Sequence, residues 1–157
     1  MPRGLLASLL LLMASPLTAW ACGYIPQDLY AKTLYWAERF GVPPNLAVAL
    51  VWTESRYCPQ AVGAKGEIGL GQMLPSTARS LGVPPSYLYD PDWNLYASML
   101  YLQRLYRRFG DWNKALAAYN AGPGRAHQPP RTTQIYVYRV VYVVQALKSR
   151  MPPRRTP

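Results

Sequence analysis

The sequence predicts a small, mainly α domain, and three observations carry that prediction. Residues 94–109 place Leu95, Met99, Leu102, Tyr106 and Phe109 at spacings of three and four, the period of a helix with one buried face. The segment LAVALVWTES, residues 46–55, is apolar all round and so reads as a helix inside the core. Half of the 157 residues are apolar, with 13 Tyr and 5 Trp, which suffices for one packed core and excludes a chain disordered throughout.

Residues 1–21 read as a secretory signal peptide. Arg3 is the basic start, Leu5 to Met13 the apolar run, and Ala19-Trp20-Ala21 the small-x-small cleavage pattern. The apolar run falls short of the ~20 residues that a membrane span needs. Cleavage leaves Cys22 first, so lipidation of Cys22 is an alternative to ordinary processing, although Ala19 and Trp20 depart from the usual lipoprotein pattern. The expected location is the periplasm or cell envelope of a bacterium. There the only two cysteines, Cys22 and Cys58, are expected to form a disulfide; two unpaired thiols are the alternative.

A first helix spans residues 26–40, with Pro26 at its start, Leu29, Leu34, Ala37 and Phe40 on one side, and Gly41 at its end. Pro43-Pro44-Asn45 opens the second, LAVALVWTES. Residues 57–72 are a Gly-rich loop. Pro75 starts a short helix that Gly82 stops, and Pro84, Pro85, Asp90 and Pro91 mark another loop. After the amphipathic helix 94–109 comes Gly110, then Asp111 as N-cap of a helix over 112–120. Gly122-Pro123-Gly124 ends it. TTQIYVYRVVYVVQALKS, residues 132–149, is rich in β-branched residues that suit a strand, but its length without a turn residue predicts a helix. The domain is set at residues 22–148, with a basic, Pro-rich, disordered tail over 149–157.

With 17 Lys+Arg against 7 Asp+Glu the net charge is +10, so acidic side chains are scarce: Asp28, Glu38, Glu54, Glu67, Asp90, Asp92 and Asp111. One His and two Cys cannot supply an ordinary four-ligand zinc site. Glu54 stands out. Leu50, Val51 and Ala47 precede it on its helix, and no Lys or Arg lies three or four residues away. Dehydration raises a carboxyl pKa, and the negative end of the helix dipole adds to this. Both favour a protonated acid, as general acid catalysis requires; the competing reading is a Glu pointing to water past the helix end. Gly63, Gly66, Gly69 and Gly71 surround Gln72 in the following loop, and Tyr119-Asn120 closes a helix before a sharp turn. His127 reads as an exposed side chain in a Gly/Pro loop.

Taken in order, Glu54-Ser55, then Gly69-Leu70-Gly71-Gln72-Met73-Leu74-Pro75-Ser76-Thr77-Ala78, then Ala118-Tyr119-Asn120-Ala121-Gly122-Pro123-Gly124, then Tyr136-Val137 closely resemble the soluble lytic transglycosylase catalytic domain, a goose-lysozyme-like family that cuts peptidoglycan. The resemblance covers roughly residues 28–147. It implies a lysozyme-like fold with a glycan-binding groove, Glu54 as sole catalytic acid and base, and glycan contacts from Ser55, Gln72, Tyr119, Asn120 and Tyr136. It implies no metal and no cofactor. Size and signal peptide look like the small transglycosylases of secretion, conjugation and pilus machines. Three departures stand out: Gly71 and Leu74 replace the family's usual Met residues, and Thr132 replaces a frequent Glu. The expected reaction cleaves the β-1,4 bond between N-acetylmuramic acid and N-acetylglucosamine and leaves 1,6-anhydro ends. Alternatives are a hydrolytic muramidase using the same Glu54 and a non-catalytic wall-binding protein. The positive charge alone would suit nucleic acid, but an exported chain seldom meets it, so no nucleic-acid partner is expected. Glu67 is the nearest candidate for a second carboxylate.

Overall fold

The computed structural model describes residues 22–150, with the Arg150 side chain outside the description. The signal peptide assigned to residues 1–21, and residues 151–157 of the basic tail, lie outside the described residues. The architecture is helical: α1 (Gln27–Phe40), α2 (Pro44–Ser55), α3 (Pro75–Ser80), α4 (Pro91–Phe109), α5 (Trp112–Ala121) and α6 (Arg131–Arg150). Short 3-10 turns over Pro85–Tyr89 and Pro123–Arg125 fill two stretches expected as loops.

Helix α2 is the centre of the domain. Leu46, Ala47, Val48, Ala49, Leu50 and Val51 are all buried, which is why the segment has no polar face. It packs between α1 and α6, while α4 lies against α1 and α5. A smaller cluster of Met73, Ala78, Leu81, Val83, Leu88 and Ala97 seats the Gly-rich loop and α3 on the flank of α4.

Two helices differ from the sequence expectation in instructive ways. Helix α4 begins at Pro91, four residues before the apolar period starts at Leu95. Asp90 caps it by accepting the Trp93 N–H at 3.0 Å, and proline suits the first helical position; periodicity marks only where a helix meets the core. Helix α6 keeps its helical form despite its strand-like composition, because Tyr136, Val140, Val143, Val144 and Leu147 form one stripe against the core. It continues to Arg150, past the domain end set at residue 148. Asp111 caps α5, its carboxylate accepting the Lys114 N–H at 2.8 Å.

The end of α2 is held firmly. Arg56 and Tyr57 both take left-handed backbone, φ 54° and 59°, a conformation uncommon for non-glycine residues. Tyr57 is buried, the Gly23 N–H donates to the Arg56 carbonyl at 3.0 Å, and Cys22 is joined to Cys58 with Cα atoms 4.9 Å apart. This disulfide occupies the thiol that lipidation of Cys22 would need. Glu54 therefore sits just before an anchored turn. Within the loop expected over 57–72, two isolated antiparallel bridges, Val62 with Ile68 and Ile68 with Met73, fold the chain back on itself.

Candidate active site

A cleft of about 450 Å³ opens where the end of α2, the Gly-rich loop, the middle of α4 and the end of α5 meet. Glu54, Glu67, Gln72, Tyr101, Tyr119 and Asn120 are among its walls. Glu54 enters from the last turn of α2, partly buried. Burial pushes its carboxyl up to about 7; a hydrogen bond from Tyr136 opposes this, and the charge of Glu67 adds to it. The direction is the one the apolar helix neighbours implied. A carboxyl poised near neutrality can both give and take a proton at working pH.

The Tyr136 hydroxyl donates to Glu54 Oε1 at 2.5 Å, within the range of a charge-assisted bond to a carboxylate. Tyr136 is itself buried on α6 and reaches the acid from behind, so its contact is with Glu54. Because this bond favours the ionised carboxylate, Tyr136→Phe is expected to raise the Glu54 pKa further. The basic limb of the pH–rate profile should move to higher pH, and turnover at neutral pH should fall about tenfold, the scale of one lost bond to a charged group. An unmoved limb would show that the bond does not act on the ionisation.

The other expected site residues divide into those that face the cleft and those that build it. Gln72 lines the cleft in left-handed backbone, φ 47°. Its Nε2 donates inward to the carbonyls of Gly69 at 3.0 Å and Ala61 at 3.2 Å, so the amide is locked in place. Tyr119 lines the cleft, but its hydroxyl donates to the Gly71 carbonyl at 2.7 Å; it braces the loop, and its ring lies tilted against that of Tyr101, centroids 5.4 Å apart. Asn120 also lines the cleft, with its Oδ1 accepting from buried Thr133 at 2.8 Å. Ser55 departs from its expected role as a glycan contact. Its hydroxyl donates to the Leu70 carbonyl at 2.8 Å and accepts the Cys58 N–H at 3.3 Å, so it ties the loop to α2. Thr132 is exposed at the start of α6, and His127 is likewise exposed, edge-on to Phe109.

Gly71 is buried, and a side chain there would collide with Ser98 and come within 3.0 Å of the Tyr119 hydroxyl. Restoring the family's usual residue by Gly71→Met is expected to cost about 2–3 kcal/mol through overpacking. Adding Ser98→Gly should recover part of that loss in thermal denaturation; no recovery would place the clash elsewhere.

Asn94 escaped the sequence reading. It is buried on α4, its Oδ1 accepting the Gly71 N–H and its Nδ2 donating to the carbonyls of Ile68 and Leu88, all at 2.8 Å. The available signal was a polar residue beside Leu95 at the head of an apolar stripe. Tyr101 was missed because aromatic residues along α4 read as core.

A helical domain with one poised carboxyl in a cleft, built around a central apolar helix, defines the lysozyme-like class. The 70 kDa soluble lytic transglycosylase from Escherichia coli superposes with a TM-score of 0.67 at 27% identity, over 78% of this chain and 24% of that one. Residues 33–138 match the family described as the Transglycosylase SLT domain, and the chain belongs to that family. The transglycosylase of Enterobacteria phage PRD1 is 34% identical over 121 residues, which are 77% of this chain and 44% of the phage protein. The soluble lytic murein transglycosylase of Escherichia coli is 37% identical over 94 residues, 54% of this chain and 14% of that protein. The chain thus spans less than half the length of these relatives.

Proposed function

We propose that this protein is a peptidoglycan lytic transglycosylase. The observation that carries the reading is Glu54: a half-buried carboxyl held near neutrality by burial, in a cleft, with Tyr136 donating to it. Protonated Glu54 gives its proton to the glycosidic oxygen between N-acetylmuramic acid and N-acetylglucosamine as the C1–O bond breaks. The substrate's own acetamido group stabilises the cationic C1. Glu54, now a carboxylate assisted by the Tyr136 hydroxyl, takes the proton of the muramic acid 6-hydroxyl as that oxygen closes onto C1. The acid is regenerated, the product ends in a 1,6-anhydro ring, and no water is consumed. One carboxyl performs both steps, where most glycosidases employ two.

The locked amide of Gln72, the adjoining rings of Tyr101 and Tyr119, and Asn120 would position the sugars. The signal peptide that the sequence predicts over residues 1–21, together with the Cys22–Cys58 disulfide, supports action in the periplasm or cell envelope. The excess of basic residues suits a wall rich in peptide carboxylates. The protein would open the wall locally for a secretion, conjugation or pilus machine. Mass spectrometry of fragments released from purified sacculi tests the chemistry. Anhydro ends are expected; reducing ends would make the protein a muramidase, and binding without release a wall-binding protein.

A further inference from the structure

Glu67 is the second acid of the cleft. It lies on the turn between Gly63 and Ile68, and that turn holds it. The Lys65 N–H donates to Glu67 Oε2 at 2.8 Å, and the Gly63 N–H donates to the Glu67 carbonyl at 2.8 Å. Gly63 makes the room: a Cβ there would overlap Glu67 Oε2 and stand 2.8 Å from Gln72 Oε1. The Glu67 carboxylate and the Gln72 amide oxygen therefore converge above one glycine, with the Gln72 Nε2 protons already committed to loop carbonyls. Among the described residues the one ion pair is Lys32 with Asp92, so Glu67 takes part in none there.

Two convergent acceptors, one charged, in a cleft wall suit a ligand that brings donors, and N-acetylhexosamines present amide N–H and hydroxyl groups. We propose that Glu67 is a glycan-binding residue, forming with Gln72 Oε1 an acceptor pair that holds N–H and O–H donors of an N-acetylated sugar in the cleft beside Glu54. This rests on the transglycosylase reading above.

Binding and chemistry are tested separately. In a Glu54→Gln background, the Kd for N-acetylglucosamine tetramer is measured by calorimetry for the parent, for Glu67→Ala, and for Gly63→Ala. The last displaces the carboxylate without deleting it. Each added change is expected to weaken binding roughly tenfold or more, the scale of one charged hydrogen bond. In the otherwise native enzyme Glu67→Gln should stay active, raising KM several-fold with kcat within about twofold, a split that a merely structural role would not produce. Equal Kd values for parent and Glu67→Ala, or no tetramer binding by the parent, would overturn the inference. The release of anhydro ends by the unaltered protein reports on the transglycosylase reading independently.

Discussion

Glu54→Gln is expected to lower the release of fragments from sacculi at least about a thousandfold, because in the proposed mechanism one group supplies both the acid and the base and each is worth about 10²–10⁴. The fold should survive: Gln is nearly isosteric, and its amide oxygen still accepts from Tyr136. The variant should even gain stability at high pH. Glu54 titrates at about 7 in the folded protein against 4.5 in an ordinary setting, so the folded state binds a proton more tightly than the unfolded one. Stability from this group is present below about pH 4.5 and is lost as pH rises to about 7, by up to about 3 kcal/mol. Gln has no such proton to lose. Melting temperatures of the two proteins should therefore coincide near pH 4 and diverge near pH 8 in favour of the variant. Residual activity of more than a few per cent, or parallel melting curves, would assign the proton to another group.

Asn94→Ala is expected to destabilise the protein by about 3–5 kcal/mol. Two buried backbone groups, the Gly71 N–H and the Leu88 carbonyl, lose their partner at once, the Ile68 carbonyl keeps only the Met73 N–H, and each unsatisfied buried group costs about 1–3 kcal/mol. The loss should extend to activity at temperatures where the variant is still folded, because Asn94 fastens the loop that carries Gln72. Urea denaturation and a rate measured well below the melting point check the two effects. A change below about 1 kcal/mol would show that solvent or a shifted loop replaces the bonds.

The helices were legible because each leaves a local signature. The apolar period of α4, the all-apolar α2 and the Gly and Pro stops depend on neighbours a few residues apart. Glu54 was legible for the same reason, since its dehydration follows from Leu50 and Val51 on its own helix. The roles of Ser55, Tyr119 and Tyr136 were only half legible. Their types and order resemble the family, but whether a hydroxyl faces sugar, loop or acid depends on partners 15, 48 and 82 residues away. Asn94 left almost no trace, because its partners are backbone groups, which every residue carries alike.

The sequence by itself determined a helical domain, one acid with a dehydrated local setting, and the resemblance that makes peptidoglycan its expected substrate. Tertiary structure decided what surrounds that acid: Tyr136 behind it, Glu67 across from it, and Gly71 packed into the core rather than open to the groove. The division has a physical cause. Helix formation and apolar burial follow from short-range patterns of side-chain type, whereas a hydrogen bond or a through-space charge needs two atoms within a few ångströms. Only the packing of α6 and the Gly-rich loop against α2 brings those atoms together.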